Sequence, residues 1–510
     1  MDTLSGLMSG FEVAFSPYNL LFVGLGVLIG TVIGLIPGLG PVTAIALLLP
    51  LTYELEATTS IMMLAGIYYG SMYGGRIPAI LLRLPGDASA VITTFDGYPL
   101  AKQGKASEAL SLTAIGSFIG GTIAIVGLTF LSPWLATLAT NINSADMFAL
   151  AFVGLLMIVL MGSGSKWKAL IIGCLGILIA TIGIDPVSGT SRLTFGNLEL
   201  LMGIDIVAVA VGLFGIGELI YNAEHGFHKG MKDMNVKPKM PSRADWVLSR
   251  FAILRASIIG FFIGIIPGGG GPVSSVVAYG AEKRISKRPE KFGKGAIEGL
   301  AATETADNAS SNSAFIPLLT LGVPPNPVLA LIFGALMLQN ITPGPNLINE
   351  HPEVFWGVIA SMYIGNVLLL ALNLPLVGVF VQMLRIRGSL MAPVILLVAL
   401  CGVFSVRNSL FDVATSIVFG FVGYALRKAN FEMGPFILGF ILGPILEVQF
   451  RRTMLVSDGD FGIFLERPLV LAIGLVILAI VAASVVDLFR KRQKKLRQLA
   501  DDPDHTMYIG

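Results

Sequence analysis

Charge is scarce in this chain, and basic charge is missing from its start. Of 510 residues only 13% are Asp, Glu, Lys or Arg, against about 25% in an average soluble domain, which argues against a solvated globular protein. No Lys or Arg precedes Arg76, so no basic n-region of a cleavable signal peptide is seen. Cysteine is nearly absent. Cys174 and Cys401 stand among apolar residues, which excludes a disulfide framework, and both are expected to pack. No GxxxxGK[ST] phosphate loop and no HExxH occurs, and His225, His228, His351 and His505 fall in expected loops or the tail. An intramembrane hydrolase would need a buried nucleophile with its base, or paired aspartates, and neither pattern is found. The chain does not read as an enzyme.

Apolar sequence fills the space. The chain is 54% hydrophobic with a mean hydropathy of +0.81, and runs of about 20 apolar residues, each enough to cross about 30 Å of hydrocarbon, recur from Tyr18 to Leu488. The expectation is an all-α polytopic membrane protein of about 11–12 transmembrane helices. The net charge of +2 hides an asymmetry, because Lys and Arg gather in a few short loops and in the tail RKRQKKLR from Arg490. That tail reads as a cytoplasmic flank rather than a nucleic-acid patch.

One pattern occurs twice. GLIPGLGP, Gly34 to Pro41, returns as GIIPGGGGP, Gly264 to Pro272. Proline removes a backbone donor and glycine tolerates positive φ, so each motif breaks a helix within apolar sequence. Broken backbone at membrane depth survives only where it is buried or lines a cavity. A second pair follows: IPAILLRLPGD from Ile77 and IPLLTLGVPPN from Ile316 share Ile-Pro and a later proline, Pro78 to Pro85 and Pro317 to Pro324. Each half thus reads as hairpin, loop, broken helix and ordinary helices.

The basic loops orient these pieces. Lys229, Lys232, Lys237, Lys239 and Arg243 lie in 225–250, and Lys283, Arg284, Lys287, Arg288, Lys291 and Lys294 lie in 282–294. Both loops read as cytoplasmic, so 251–282 enters and leaves on one side as a re-entrant hairpin. The flanks of 18–52 carry Asp2, Glu12, Glu54 and Glu56 without a Lys or Arg, which makes it a hairpin from the opposite face. The stretch from Tyr18 to Ile36 is also long enough to cross alone. Arg407, Arg451 and Arg452 fall outside as exceptions to the charge rule. The resulting division is a first repeat at 1–224 with a broken helix at 58–100, a basic linker at 225–250, a second repeat of opposite orientation at 251–489 with a broken helix at 295–340, and a basic tail at 490–510. Inverted repeats with paired breaks are the pattern of secondary transporters.

Candidate cation ligands cluster at the breaks. Gly38, Gly40, Gly268 and Gly270 expose backbone groups beside half-helix ends, and Thr43, Ser274 and Ser275 add hydroxyls. A sodium-sized hard cation favours such oxygens together with carboxylates. In ETADNASSNS, residues Glu304, Asp307, Asn308, Ser311 and Asn312 recur at spacings of three and four, which predicts one polar helical face. Carboxylates at bilayer depth cost about 2.5–3.5 kcal/mol each, so a polar cavity or an ion is expected beside them. The matching YYGSMYGG offers Tyr68, Ser71 and Tyr73. For a carboxylate substrate, Arg76 and Arg83 bracket the first break with Pro78 and Gly86, and guanidinium binds carboxylate bidentately. Arg83 is equally placed to pair with Asp87, itself a helix cap. Pro317, Pro324, Pro325 and Asn326 form the matching second break, where a half-helix start presents free amides to an anion.

These residues resemble the large membrane subunit of the tripartite tricarboxylate transporters, the TctA family. The resemblance spans nearly the whole chain and rests on GLIPGLGP, YGSMYGGRIPAILLRLPGD, PGGGGP and ETADNASSNSAFIPLLTLGVPPNP. It implies a bacterial inner-membrane permease that moves a tricarboxylate such as citrate, or another organic acid, with sodium. It also implies two partners, a small membrane subunit of TctB type and a periplasmic solute-binding protein of TctC type. A stand-alone carrier of the same architecture, and a channel or structural membrane subunit, are the alternatives the residues leave open.

Overall fold

The computed structural model describes residues 2–36, 39–139, 142–161, 165–226, 238–384 and 388–475, with Leu478. Pro37 and Gly38 of the first octet, part of the basic linker and the whole basic tail lie outside the described residues. The chain forms two compact units, one of Met1–Asn141 and Gly154–Pro444, the other of Ile142–Val153 and Ile445–Gly510. In the smaller unit Arg467 Nη2 meets Asp146 Oδ2 at 2.5 Å.

The architecture is all-α apart from a two-residue hairpin pairing Gly183–Ile184 with Ser191–Arg192. Among the described residues seven helices are long and apolar enough to cross a membrane, and four shorter apolar helices accompany them. The site is built by α1 (Pro17–Gly34) and α2 (Pro41–Thr52), then α3 (Ala57–Leu82) and α4 (Ala90–Lys102), then α5 (Ala106–Ala139). In the second half come α6 (Arg243–Ile265) and α7 (Gly270–Ile285), then α8 (Ile297–Ser313), α9 (Phe315–Leu321) and α10 (Pro327–Leu338), then α11 (Pro352–Asn373). Proline begins α1, α2, α10 and α11, where its missing N–H has no partner to lose.

Two helices form the interior: α3 is buried from Thr59 to Leu81, and α8 along its whole length. Helices buried all round need neighbours on every side, and small residues let backbones close in. A Cβ on Gly26, Gly30 or Gly34 of α1 would lie 2.4, 2.4 and 2.2 Å from the carbonyl oxygens of Met63, Ile67 and Ser71 in α3. In the second half, a Cβ on Gly260 or Gly264 of α6 would lie 2.3 Å from the oxygen of Ala306 or Ser310 in α8. This is the small-residue packing of membrane helices. Gly34 and Gly264 open the two Gly-Pro motifs, so Ser71 and Ser310 stand at equivalent places.

The broken helices repeat in the same register. Leu84 N–H bonds Pro78 O at 3.3 Å and Val323 N–H bonds Pro317 O at 3.2 Å. Between them Arg83 and Gly322 take left-handed φ values of 60° and 67°. Asp87 then caps α4 through Ala90 N at 2.8 Å, and Asn326 caps α10 through Leu329 N at 3.0 Å. Asn326→Ala is expected to cost about 1 kcal/mol, the worth of such a cap, read as a lower unfolding midpoint in detergent, while Asn326→Asp keeps the cap. An unchanged midpoint in the alanine variant would show the cap to be idle.

Three details differ from the sequence expectation. Arg76 and Pro78 stay inside α3, so the first break opens at Arg83 rather than at the Ile-Pro pair. Cys174 and Cys401 are exposed rather than packed, on helix faces turned away from the protein interior. The polar face of α8 is two faces, described next.

Candidate functional site

The split follows the rows of an α-helix, where i and i+4 stack. One row, Glu304, Asn308 and Asn312, turns toward α4 and α5. Glu304 accepts the hydroxyl of Thr93, Asn308 Nδ2 donates to Ser117 Oγ at 2.9 Å, and Asn312 Nδ2 donates back to Asn308 O at 2.8 Å. Glu304 Oε2 and Asn308 Oδ1 are buried with no hydrogen-bond partner among the described residues. The other row, Asp307 and Ser311, turns toward the tip of the second hairpin and toward Tyr68. Ser311 Oγ donates to Asp307 O at 2.9 Å, and a Cβ on Gly271 would sit 2.1 Å from Asp307 Oδ1.

Four irregular segments meet beside that second row. The tip of the second hairpin is tied to the second break by Gly268 N–H to Pro325 O at 2.8 Å. Gly268 and Gly270 both take positive φ, 78° and 48°, and this freedom lets the tip turn within one residue of α7. Against the first break the same tip places Gly271, whose Cβ position is 3.1 Å from Ser89 Cβ. The first hairpin reaches the first break through Gly40, whose Cβ position is 3.5 Å from Asp87 Cβ. Gly86 folds back so closely that a Cβ there would stand 2.6 Å from Gly75 Cα and 2.9 Å from Gly34 O. Asn326 Nδ2 then spans the halves to Tyr68 Oη at 3.3 Å.

The remaining candidates are spread around this centre. Ser274 Oγ lies 2.8 Å from Gly271 O and 2.9 Å from Ser310 Oγ, sharing its one proton between them, so it braces the tip. Ser275 Oγ donates to Thr303 O at 3.3 Å. Thr43 is buried, and Ser71 Oγ is buried without a partner among the described residues. Pro317, Pro324 and Pro325 are buried, whereas Arg83 is exposed. Arg76 lies apart: its guanidinium sits 4.5 Å from the centroid of the Tyr73 ring and its Nη2 donates to Asn373 Oδ1 at 3.4 Å. Asp87 and Ser89 were not singled out as ligands in the sequence. The signal that finds them is the repeat, which sets LPGD against VPPN and therefore Asp87 against Asn326.

An all-α, polytopic molecule whose broken helices converge on a buried polar centre has the build of a membrane transport protein. The chain belongs to the tripartite tricarboxylate transporter TctA family, whose model matches residues 20–438. That family is one of transporters and not of enzymes. The chain is 43% identical over 496 residues to an uncharacterized 52.8 kDa protein of Agrobacterium vitis from the TAR-I ttuC' 3' region, covering 97% of this chain and 99% of that one. It is 47% identical over 236 residues to a second Agrobacterium vitis protein, uncharacterized, from the TAR-II ttuC' 3' region, covering 46% of this chain and 98% of that one. An uncharacterized protein of Methanocaldococcus jannaschii is 26% identical over 256 residues, 49% of this chain and 58% of that one. No solved structure matches the chain.

Proposed function

We propose that this chain is the large permease subunit of a binding-protein-dependent transporter that takes up a tricarboxylate or related organic anion together with sodium. Its setting is the bacterial inner membrane with the C-terminus cytoplasmic, and its partners are a small membrane subunit of TctB type and a periplasmic solute-binding protein of TctC type. The observation that carries the reading is the convergence of the second hairpin tip, the start of α2 and both helix breaks around a buried polar centre, in a chain of a transporter family. The two halves insert with opposite orientation, which brings equivalent breaks together. Substrate carboxylates bind between Arg83, Gly86, Pro324, Pro325 and Asn326, where the first turns of α4 and α10 present amides. Sodium binds at the hairpin tips, with Gly40, Thr43 and Ser71 on one side and Gly268, Gly270, Ser274, Ser275, Asp307, Asn308, Ser311 and Asn312 on the other.

Energetics favour the coupling. Moving a trivalent anion into a cell against 100 mV costs about 7 kcal/mol, at about 2.3 kcal/mol per charge, and co-bound cations offset much of it. The test is uptake of radiolabelled citrate and other organic acids by proteoliposomes holding both membrane subunits, with binding protein outside. Saturable uptake that needs an inward sodium gradient is expected for at least one acid. Uptake without binding protein, or equal uptake in potassium, would overturn the tripartite or the sodium part respectively.

A further inference from the structure

The repeat relates two contacts that cross between the halves. With Ser71 and Ser310 equivalent, Tyr68 of α3 and Asp307 of α8 are equivalent too, three residues earlier. Asp87 and Asn326 are equivalent as the caps of α4 and α10. One crossing contact joins Asn326 to Tyr68 through a neutral hydrogen bond of 3.3 Å. In the repeat register its counterpart sets the position of Asp87 against that of Asp307. Here the same two places hold two carboxylates, which have no donor to offer each other.

Ser89 stands between them. Its Oγ donates to Asp87 Oδ1 at 2.7 Å, and its Cβ shares with Asp307 Oδ1 the space beside Gly271. Asp307 is 4% exposed, and its Oδ1 has no hydrogen-bond partner among the described residues. No ion pair joins either carboxylate to a described Lys or Arg: the buried guanidinium of Arg76 lies over the Tyr73 ring and donates Nη2 to Asn373, its Nε and Nη1 having no hydrogen-bond partner among the described residues, and Arg83 is exposed. Two carboxylates brought together in a dry interior must be neutralised, by a shared proton or by a cation held between them. Asp87 is half-buried, so the pair is reachable from one side.

We propose that Asp87 and Asp307, with the hydroxyl of Ser89, bind one sodium ion at the seam between the two halves. The neutral Asn326–Tyr68 bond closes the equivalent place, so the site is single although the fold is repeated. An ion held by one carboxylate from each half draws together the first helix break and the second hairpin tip, beside which the substrate binds, and this makes sodium and anion binding mutually favourable. The proposal rests on the sodium-coupled reading above and adds the ligands.

The test is the thermal unfolding midpoint of the purified chain in detergent, titrated with sodium chloride at ionic strength held constant with choline chloride. A ligand that binds only the folded state raises the midpoint in a saturable way. The native chain is expected to show such a rise with sodium and less with potassium. Asp87→Asn and Asp307→Asn should raise the half-saturating sodium concentration at least tenfold. The double variant D87N/D307N, freed of buried repulsion, should fold and melt alike in both salts. A sodium response that survives in the double variant, a native response only to calcium or magnesium, or one only to pH would each overturn the site. Uptake separates the two ideas. Sodium-independent uptake by a chain whose midpoint does respond overturns the coupling and leaves the site standing, whereas sodium-dependent uptake with an unshifted half-saturation in Asp307→Asn overturns the site alone.

Discussion

Asp96→Ala is expected to remove about 3 kcal/mol of stability or more, since a buried donor left without a partner costs about 1–3 kcal/mol and four donors, some of them partly exposed, lose their acceptor. The Asp96 carboxylate is 1% exposed. Its Oδ1 accepts Gly293 N at 2.8 Å, Gly295 N at 2.8 Å and Ala296 N at 2.9 Å, while Oδ2 accepts the Tyr279 hydroxyl at 2.9 Å. Ala296 is the N-cap of α8 and has no capping side chain of its own, so an aspartate about 200 residues away in sequence supplies the cap. The same contacts pin α4 to the basic loop before α8. Little folded protein should be recoverable from the alanine variant, as judged by gel filtration and unfolding midpoint. Asp96→Asn keeps an acceptor for the three amides and turns its NH2 toward the tyrosine oxygen, so a drop of about 1–2 kcal/mol is expected. Equal loss in both variants would show that the charge, and not the acceptor, is what matters.

The second large effect belongs to the glycines that seat α1 on α3 and α6 on α8. A Cβ at Gly30 or Gly260 would lie 2.4 and 2.3 Å from a backbone oxygen, and an oxygen in the core of a helix cannot rotate aside. Gly30→Val and Gly260→Val should each separate a helix pair and cost about 3 kcal/mol or more, at or above the usual range for overpacking. Gly24, on the same α1, meets nothing within 4 Å. Gly24→Ala is therefore expected to be neutral or stabilising by up to about 1 kcal/mol, because alanine suits a helix better. The comparison of yield and midpoint between Gly24→Ala and Gly30→Ala separates packing from propensity. Equal behaviour of the two would refute close backbone contact.

Membrane class was legible because it depends on composition alone: a chain with 13% charge has too little polar surface to face water. Helix breaks at the Gly-Pro motifs were legible too, since Pro and Gly act through their own backbone. The first broken helix was read less well. Pro78 suggested an early break, yet α3 runs on to Leu82 because neighbours enclose it on every side and leave no room for an unpaired turn. The end comes at Arg83, in a left-handed conformation that costs an L-residue about 1–2 kcal/mol and that Gly322 adopts freely in the second half. No local rule nominates an arginine for that position.

The polar stretch of α8 shows the same boundary more sharply. Spacings of three and four placed Asp307, Asn308, Ser311 and Asn312 on one side of a helix, and a helix side is wide enough to touch two neighbours. Which residue met the hairpin tip and which met α5 was decided by where those neighbours lie. Asp87 reads from the sequence as a helix cap or a partner for Arg83, and nothing in the sequence singles out Asp96 in the middle of α4. Asp87 caps α4 beside the second hairpin tip, and Asp96 caps a distant helix.

By itself, then, the sequence determined the properties carried by single residues and short spacings: the solvent this chain folds in, where its helices must stop, and which motifs recur along it. Tertiary structure alone decided which polar groups face each other. Those contacts join residues far apart in the chain, and their strength depends on desolvation and distance, which exist only once the helices have packed.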